Sequence, residues 1–174
     1  MSFFLVNLIL LIIIALLLIL LSWIWPPDSP WSPWWTTKDH EIRQALKLAK
    51  VTKKDTVYEL GCGNGRFLII AAKEFGARGV GIEIDPLRFF IATLMIHINR
   101  VSDKVVIKRK NFFDENLSKA TVVYVYLVPK ALKRLAPKFK EELKKDTRIV
   151  SYRYETPLML KKHRTASNLR LYLV

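Results

Sequence analysis

The chain has 174 residues and carries 29 Lys and Arg against 15 Asp and Glu, which gives a net charge of +14. This length suits one compact domain with an appended segment rather than two full domains. The lone cysteine, Cys62, excludes an internal disulfide framework and paired-cysteine metal sites, and the three histidines have no metal-ligand spacing. We therefore predict no metal site.

The first segment of the chain is apolar. The run from Phe3 to Trp25 has no charged side chain, and its polar residues are Asn7 and Ser22. An uncharged run of about 20 residues spans the hydrocarbon core of a bilayer as a helix. A cleaved signal peptide is the alternative, but no Lys or Arg precedes the run and SWIWPPD has no small-residue cleavage pattern. We expect residues 1–27 to form a single transmembrane anchor.

A linker rich in Trp and Pro is predicted to follow the anchor over residues 28–37. Tryptophan favours the headgroup zone of a bilayer, and the prolines are expected to end the helix. Lys and Arg occur only after the apolar span, which favours the cytoplasmic side for the rest of the chain. Four residues can fold over a site in the following domain as a lid, or act only as membrane-interface anchors: Trp34, Trp35, Thr36 and Thr37.

Residues 38–174 are predicted to form one α/β domain, beginning with a helix capped by Thr36 or Thr37. Helices then alternate with apolar strands, a pattern typical of a parallel sheet covered on both faces. We expect a Rossmann-like, mostly parallel sheet that is shortened at its C-terminal end, with an antiparallel last strand. The helix after the fourth strand is expected to bend or break near Pro137. The predicted strands are TVYEL, VGIEI, VVIKRK, TVVYVYLV, TRIVSYRYE and SNLRLYLV.

The loop YELGCGNGRF joins the first predicted strand to a helix, and its three glycines allow a close approach of the backbone to a ligand. A triphosphate-binding loop would end in Gly-Lys-Ser/Thr, which Arg66 and Phe67 do not provide. The dinucleotide fingerprint would need a small residue where Arg66 stands. An acidic-x-G-x-G-x-G pattern fits completely, because Glu59 precedes Gly61 by two residues.

Glu59 indicates the chemistry of the ligand. A carboxylate at this loop repels a pyrophosphate but accepts hydrogen bonds from an ammonium group. S-adenosylmethionine has an ammonium group and a sulfonium, and it has no phosphate. Glu83 ends the second predicted strand about 20 residues after the loop, where an acidic side chain binds ribose hydroxyls. After the third strand, Asn111 can contact the adenine edge, and Phe112 or Phe113 can cover a ring face or belong to the core.

The motif ELGCGNG, Glu83 and the strand order resemble those of class I, seven-strand S-adenosylmethionine-dependent methyltransferases. The chain also resembles a small membrane-anchored protein-lysine methyltransferase family, whose mitochondrial members modify the adenine nucleotide translocase and the ATP synthase c subunit. The apolar anchor, PWWTT, AAKEFGARGVGIEIDP and VYLVP carry this second resemblance. It implies an S-adenosylmethionine-dependent enzyme with the following cofactor-binding residues: Glu59, Gly61, Cys62, Gly63, Asn64, Gly65, Glu83, Ile84, Asn111 and Phe112.

Two features depart from that family. Its members usually have Asp where Asn111 stands, and the stretch after the fifth predicted strand is too short for a full helix before the last two strands. The acceptor is expected at the end of the fourth strand, where Tyr126 and the backbone near Pro129 can orient an amine. The resemblance thus implies these catalytic candidates: Tyr126, Pro129, Trp35 and Thr36.

The expected function is methylation of lysine side chains in a membrane or membrane-associated protein. Asn/Asp-Pro-Pro-Tyr, the motif of amide and exocyclic-amine methyltransferases, is missing, which argues against DNA-adenine and glutamine acceptors. The basic surplus favours anionic lipid headgroups as a second partner, and nucleic acid is a weaker candidate. The alternatives are a small-molecule, lipid or RNA methyltransferase, or a non-catalytic cofactor-binding scaffold at the membrane. The sequence carries no signal for an oligomeric state.

Overall fold

A computed structural model describes residues 3–24, 35–156, 162–166 and 168–174. The elements alternate between helix and strand after the first two helices. In chain order they are α1 Phe3–Ile24, α2 Asp39–Leu48, β1 Thr56–Leu60, α3 Arg66–Phe75, β2 Arg78–Glu83, α4 Pro86–Ile98, β3 Val105–Arg109, β4 Val122–Val125, α5 Pro129–Glu142, β5 Arg148–Tyr152, β6 Lys162–Ala166 and β7 Leu169–Leu173.

Helix α1 corresponds to the predicted anchor. Its Phe3–Leu21 stretch has a mean hydropathy of 3.4, and its length and composition suffice to cross a membrane. The anchor remains a prediction, because a helix of this kind near an N-terminus can also be a signal sequence. The linker is described only from Trp35 onward. The predicted interfacial positions Trp25, Trp31 and Trp34, and the prolines between them, lie outside the described residues.

The sheet has seven strands in the order β3-β2-β1-β4-β5-β7-β6. Strands β1 to β5 pair in parallel, whereas β7 is antiparallel to both β5 and β6. The predicted mostly parallel, Rossmann-like sheet and its antiparallel closing strand are confirmed. The expected shortening of the sheet is wrong, because β6 supplies a seventh strand. Its sequence KHRTA is polar and lacks apolar alternation, so only pairing with β7 identifies it as a strand.

Two buried clusters show that helices cover both faces of the sheet, as predicted. One cluster joins α2, α3 and α4 to the sheet, and the other joins α5 to the opposite face. Helix α5 runs continuously through Pro137, so the predicted break there is wrong. Pro137 has no N–H to donate to the carbonyl of Lys133, one turn earlier. Both residues are exposed, so water can bind that carbonyl instead.

The start of α2 also differs from the prediction. The helix begins at Asp39 after Lys38, and neither Thr36 nor Thr37 caps it. The Thr37 hydroxyl instead forms a hydrogen bond of 3.1 Å with the hydroxyl of Tyr124 on β4. Residues 35–37 are thereby held against the C-terminal ends of the central strands, where parallel sheets bind ligands.

Candidate functional site

The glycine loop leaves β1 and turns sharply into α3. Gly61, Gly63 and Gly65 have φ values of 79°, 54° and 74°, a left-handed region that glycine adopts without steric cost. The Gly61 and Cys62 N–H groups donate to the carbonyl of Ile82 on β2, at 2.9 and 3.0 Å. The loop is therefore fixed against the ends of the two neighbouring strands that carry the predicted acidic residues.

A cleft that is open to solvent lies over this loop. The cleft is bounded by the glycine loop, the ends of β1, β2 and β4, and the segment before α2. Its lining residues are Trp35, Thr36, Thr37, Ile42, Glu59, Leu60, Gly61, Cys62, Gly63, Asn64, Arg66, Phe67, Glu83, Ile84, Arg88, Phe112, Tyr124, Tyr126 and Leu127.

Glu59 lies in this cleft with an unsatisfied carboxyl group. The residue is 8% exposed, and its Oε2 atom has no hydrogen-bond partner among the described residues. Burial raises the pKa of the Glu59 carboxyl well above its usual range, and the negative charge of Glu83 raises it further. A buried acceptor without a partner costs free energy, so a cationic donor bound here would gain a strong, charge-assisted hydrogen bond.

Glu83 is held in place by two backbone donors. The Gly63 N–H donates to Oε2 at 2.9 Å, and the Asp85 N–H donates to Oε1 at 3.0 Å. Burial raises the pKa of Glu83, while these two hydrogen bonds and the positive charge of Arg88 act in the opposite direction. Each carboxyl oxygen keeps a second lone-pair direction, which can accept a ligand hydroxyl.

Aromatic side chains form one wall of the cleft, at the end of β4. The ring of Tyr124 stacks on that of Phe67 with centroids 3.9 Å apart. Tyr126 packs edge-on against Tyr152 at 4.7 Å, and Arg153 Nη1 donates to the Tyr126 hydroxyl at 3.2 Å. Burial raises the pKa of the Tyr124 hydroxyl, so this group stays neutral at physiological pH. The wall is thus aromatic, and it lies next to Glu59, because Tyr124 on β4 pairs in register with Glu59 on β1.

Most of the predicted site residues come together in the cleft. Eleven of the fourteen line it: Trp35, Thr36, Glu59, Gly61, Cys62, Gly63, Asn64, Glu83, Ile84, Phe112 and Tyr126. The other three are Gly65, Asn111 and Pro129. Asn111 Oδ1 accepts from the Phe113 N–H at 3.1 Å and caps a short 3₁₀ helix, Phe112–Asp114, while Pro129 begins α5. The ligand contacts assigned to all fourteen residues remain predictions.

Several residues that line the cleft were not predicted from the sequence, and they differ in whether a sequence signal could have indicated them. Tyr124 stands two positions before Tyr126, so the period of a strand would have placed both on one face. Phe67 follows the glycine loop directly, where the start of a helix approaches the ligand. No sequence signal indicates Arg88, a buried residue in the first turn of α4 whose side chain reaches the cleft.

Comparison with known proteins identifies the family. The model of the ANTKMT methyltransferase domain matches residues 59–163. The chain belongs to this family. A protein-lysine N-methyltransferase from Saccharolobus islandicus is 41% identical over 130 residues, which cover 74% of this chain and 79% of the relative. A lysine N-methyltransferase from Xenopus laevis, named for the ATP synthase c subunit, is 25% identical over 134 residues, which cover 77% of this chain and 57% of that protein.

A solved structure extends the match to three dimensions. An RNA methyltransferase from Salinibacter ruber, in complex with S-adenosyl-L-homocysteine, is 34% identical with a TM-score of 0.74; the match covers 80% of this chain and 92% of that one. These similarities confirm the predicted class I fold and an S-adenosylmethionine-dependent methyltransferase of a protein-lysine methyltransferase family. The matched residues include the glycine loop and most of the cleft lining, whereas Trp35, Thr36, Thr37 and Ile42 precede them.

Proposed function

We propose that this protein transfers methyl groups from S-adenosylmethionine to lysine side chains of a membrane or membrane-associated protein. The observation that carries the proposal is the buried Glu59 carboxyl group, whose Oε2 atom has no partner among the described residues of the cleft. An ammonium group at this atom would be both a hydrogen-bond donor and a counter-charge. Two carboxyl groups also disfavour a phosphate-bearing ligand at the same place.

The cleft residues fit this donor on three counts. Glu59 would accept from the ammonium of its methionine part, and Glu83 would accept from the ribose hydroxyls. Phe112, which is buried and lines the cleft, would cover the adenine ring. When bound, S-adenosylmethionine supplies a methyl group attached to a positively charged sulfur. The glycine loop keeps side chains out of the space where the donor's backbone-like part would lie.

The aromatic wall suits an incoming amine. An unperturbed lysine has a pKa of about 10.4, and burial beside a positive charge favours its neutral, nucleophilic form. Tyr126 is fixed at the wall by Arg153 and could accept a hydrogen bond from the amine. Trp35 and Thr36 are exposed and line the cleft, so they could contact the chain that carries the lysine.

The membrane part of the proposal rests on α1. A helix of 22 residues without charge would keep the domain next to the bilayer, with residues 1–27 as anchor, 28–37 as linker and 38–174 as catalytic domain. The basic residues after the span favour the cytoplasmic side for that domain. A substrate lysine in a membrane protein would then be near the cleft.

Binding of the donor is tested with the full chain purified in detergent. Calorimetric titration with S-adenosylmethionine should give a saturable signal that Gly63→Arg and Glu83→Ala abolish. Lys140→Ala, on the exposed side of α5, is the matched control and should bind as the native chain does. Binding that persists unchanged in both cleft variants would contradict the assignment of the cleft.

The acceptor is tested by transfer of radiolabelled methyl groups to membranes from cells in which the gene is deleted. Label in protein, mapped by mass spectrometry to lysine, is the expected result. Label that moves into the lipid extract would contradict a lysine acceptor. Binding of the donor with no transfer to any fraction would indicate a non-catalytic protein.

RNA is a second candidate acceptor, because the Salinibacter ruber relative is named an RNA methyltransferase and this chain carries a net charge of +14. Treatment of the labelled products with ribonuclease distinguishes the two acceptors. Label that becomes acid-soluble after ribonuclease, while lysines stay unlabelled, would favour RNA.

A further inference from the structure

Helix α4 presents an apolar stripe to solvent. Leu87, Phe90, Leu94 and Ile98 are 43%, 62%, 48% and 63% exposed, and their spacing places them on one side of the helix. The opposite side, which includes Ala92 and Ile96, is buried against the sheet. We call the four exposed residues the α4 face. The α4 face runs from Leu87 to Ile98 and extends for about 17 Å at about 1.5 Å per residue.

This exposure is unusual for a helix that covers a sheet, because such a helix normally turns charged or polar residues outward. All the exposed residues of α4 are apolar except His97. The other long helices that cover the sheet differ in this respect: the exposed positions of α5 are occupied mostly by Lys, Arg and Glu. A row of exposed large apolar side chains marks a surface that contacts a partner or a membrane.

Cations surround the C-terminal end of the α4 face. Lys73 donates to the side chain of Asn99, the residue that ends α4, at 3.3 Å. Arg100 follows the helix directly, and Lys104 lies in the turn before β3, with Asp103 as the acidic residue of that turn. At the other end of α4, near its first turn, β3 ends in Lys108 and Arg109, and Lys110 follows. Lys108 and Lys110 both form ion pairs with Glu115 there.

We propose that the α4 face docks on the anionic surface of a phospholipid bilayer. An apolar stripe with basic residues at its border is the arrangement by which helices lie in the headgroup layer. The positive border complements anionic headgroups, whereas it would bring like charges together if a second copy of this chain covered the same face. The chain's own α1 is long and apolar enough to reside in that bilayer.

The docking surface is distinct from the cleft, although both involve α4. The α4 face is on the solvent side of the helix, whereas Arg88 points from the same first turn into the cleft. Docking therefore requires no methyl transfer, and a failure of the proposed enzymatic function would leave it untouched.

The experiment uses the full chain reconstituted in nanodiscs, one copy per disc, made of phosphatidylcholine with phosphatidylglycerol. A nitroxide spin label is attached at Leu94→Cys, with a control label at Lys140→Cys on α5, which covers the other face of the sheet. Cys62 is buried, so labelling occurs at the introduced thiols. Collision of the label with oxygen and with a water-soluble nickel chelate reports its depth in the bilayer.

We expect the label at position 94 to lie about 5–10 Å inside the headgroup boundary, with high oxygen and low nickel access. The label at position 140 should be fully open to nickel. Adding Phe90→Glu with Ile98→Glu should return position 94 to the level of position 140. Gln44→Glu with Asn116→Glu makes the same change of charge at exposed positions elsewhere and should leave position 94 protected.

Three results would overturn the proposal. Equal nickel access at positions 94 and 140 would show that the face does not meet lipid. Protection that requires two copies per disc, or the addition of a membrane protein, would assign the face to protein contacts instead. Equal protection of position 94 from nickel in discs of phosphatidylcholine alone would show that docking does not depend on anionic headgroups.

Discussion

Replacing Glu59 by Gln separates the role of this carboxyl group in ligand binding from its cost to folding. Gln has nearly the same shape, but it cannot carry the negative charge that an ammonium group needs. A hydrogen bond to a charged group contributes about 1.5–3 kcal/mol, so donor affinity should fall by roughly 10- to 150-fold. Calorimetric titration of the full chain with S-adenosylmethionine measures this loss.

The same substitution should stabilise the ligand-free protein. The folded-state pKa of Glu59 is raised, whereas the unfolded chain has an ordinary carboxyl pKa near 4.3. Above that pH the unfolded state gains stability by ionising, and native stability falls as pH rises toward the raised pKa. Each unit by which the folded-state pKa exceeds the unfolded one corresponds to about 1.4 kcal/mol of lost stability, and each kcal/mol changes Tm by about 4 °C. The variant should melt higher than the native chain near pH 7 and equal to it near pH 4.

Proton release provides the third readout of Glu59. Binding of a cation requires the carboxylate, so the native chain should release protons to the buffer when it binds the donor at a pH below its raised pKa. Titrations in two buffers with different ionisation enthalpies would detect this release, and the Gln variant should show none. An unchanged Kd, or a variant that melts lower near pH 7 without loss of affinity, would refute this account of Glu59.

Four further substitutions test three features: the Thr37–Tyr124 hydrogen bond, the packing of β2 and the charge of Asp55. Thr37→Val and Tyr124→Phe should each lower the free energy of unfolding, measured in urea, by about 0.5–1.5 kcal/mol. The double variant should lose little more than either single variant, because both substitutions remove the same hydrogen bond. Additive losses would contradict this hydrogen bond. Gly81→Ala should destabilise the protein by about 1–3 kcal/mol, because its new Cβ would lie 2.8 Å from Cys62 Sγ. An unchanged Tm would contradict this close contact and show that the glycine loop moves to accommodate the methyl group. Burial would raise the pKa of Asp55, but its hydrogen bonds and a neighbouring arginine lower it overall. The stability that Asp55 provides should therefore be full above its unfolded pKa and be lost as pH falls through the lowered value, and Asp55→Asn should remove this dependence in acid unfolding.

The central part of the fold was predictable because its signals are local. The glycine loop requires residues that tolerate positive φ, and Glu59 and Glu83 occupy the ends of the two strands that flank it. Asp85 and Pro86 are residue types that commonly start helices, and the Asp85 side chain accepts from the Arg88 N–H at 2.8 Å at the start of α4. Each of these features depends on residues close together in the chain, so short segments suffice to predict them.

The errors concern contacts between distant segments. Thr37 is a residue type that often caps a helix, but its hydroxyl instead bonds to that of Tyr124, which is 87 residues away in the chain. The polar stretch KHRTA gives no strand pattern of its own, and it is a strand only because it pairs with β7. The exposed apolar stripe of α4 could not be told from a buried one by periodicity alone, because only the packing of the neighbouring elements decides which side is covered.

The sequence by itself determined the parts of the candidate site: two carboxyl groups at a glycine loop, predicted to bind an ammonium group and ribose hydroxyls, and an apolar span ahead of them. The tertiary structure decided which side chains share the cleft, that KHRTA completes the sheet as β6, and which side of α4 meets solvent. The physical reason is that glycine dihedrals and caps act over a few residues, whereas strand pairing and burial depend on segments that meet only after the chain has folded.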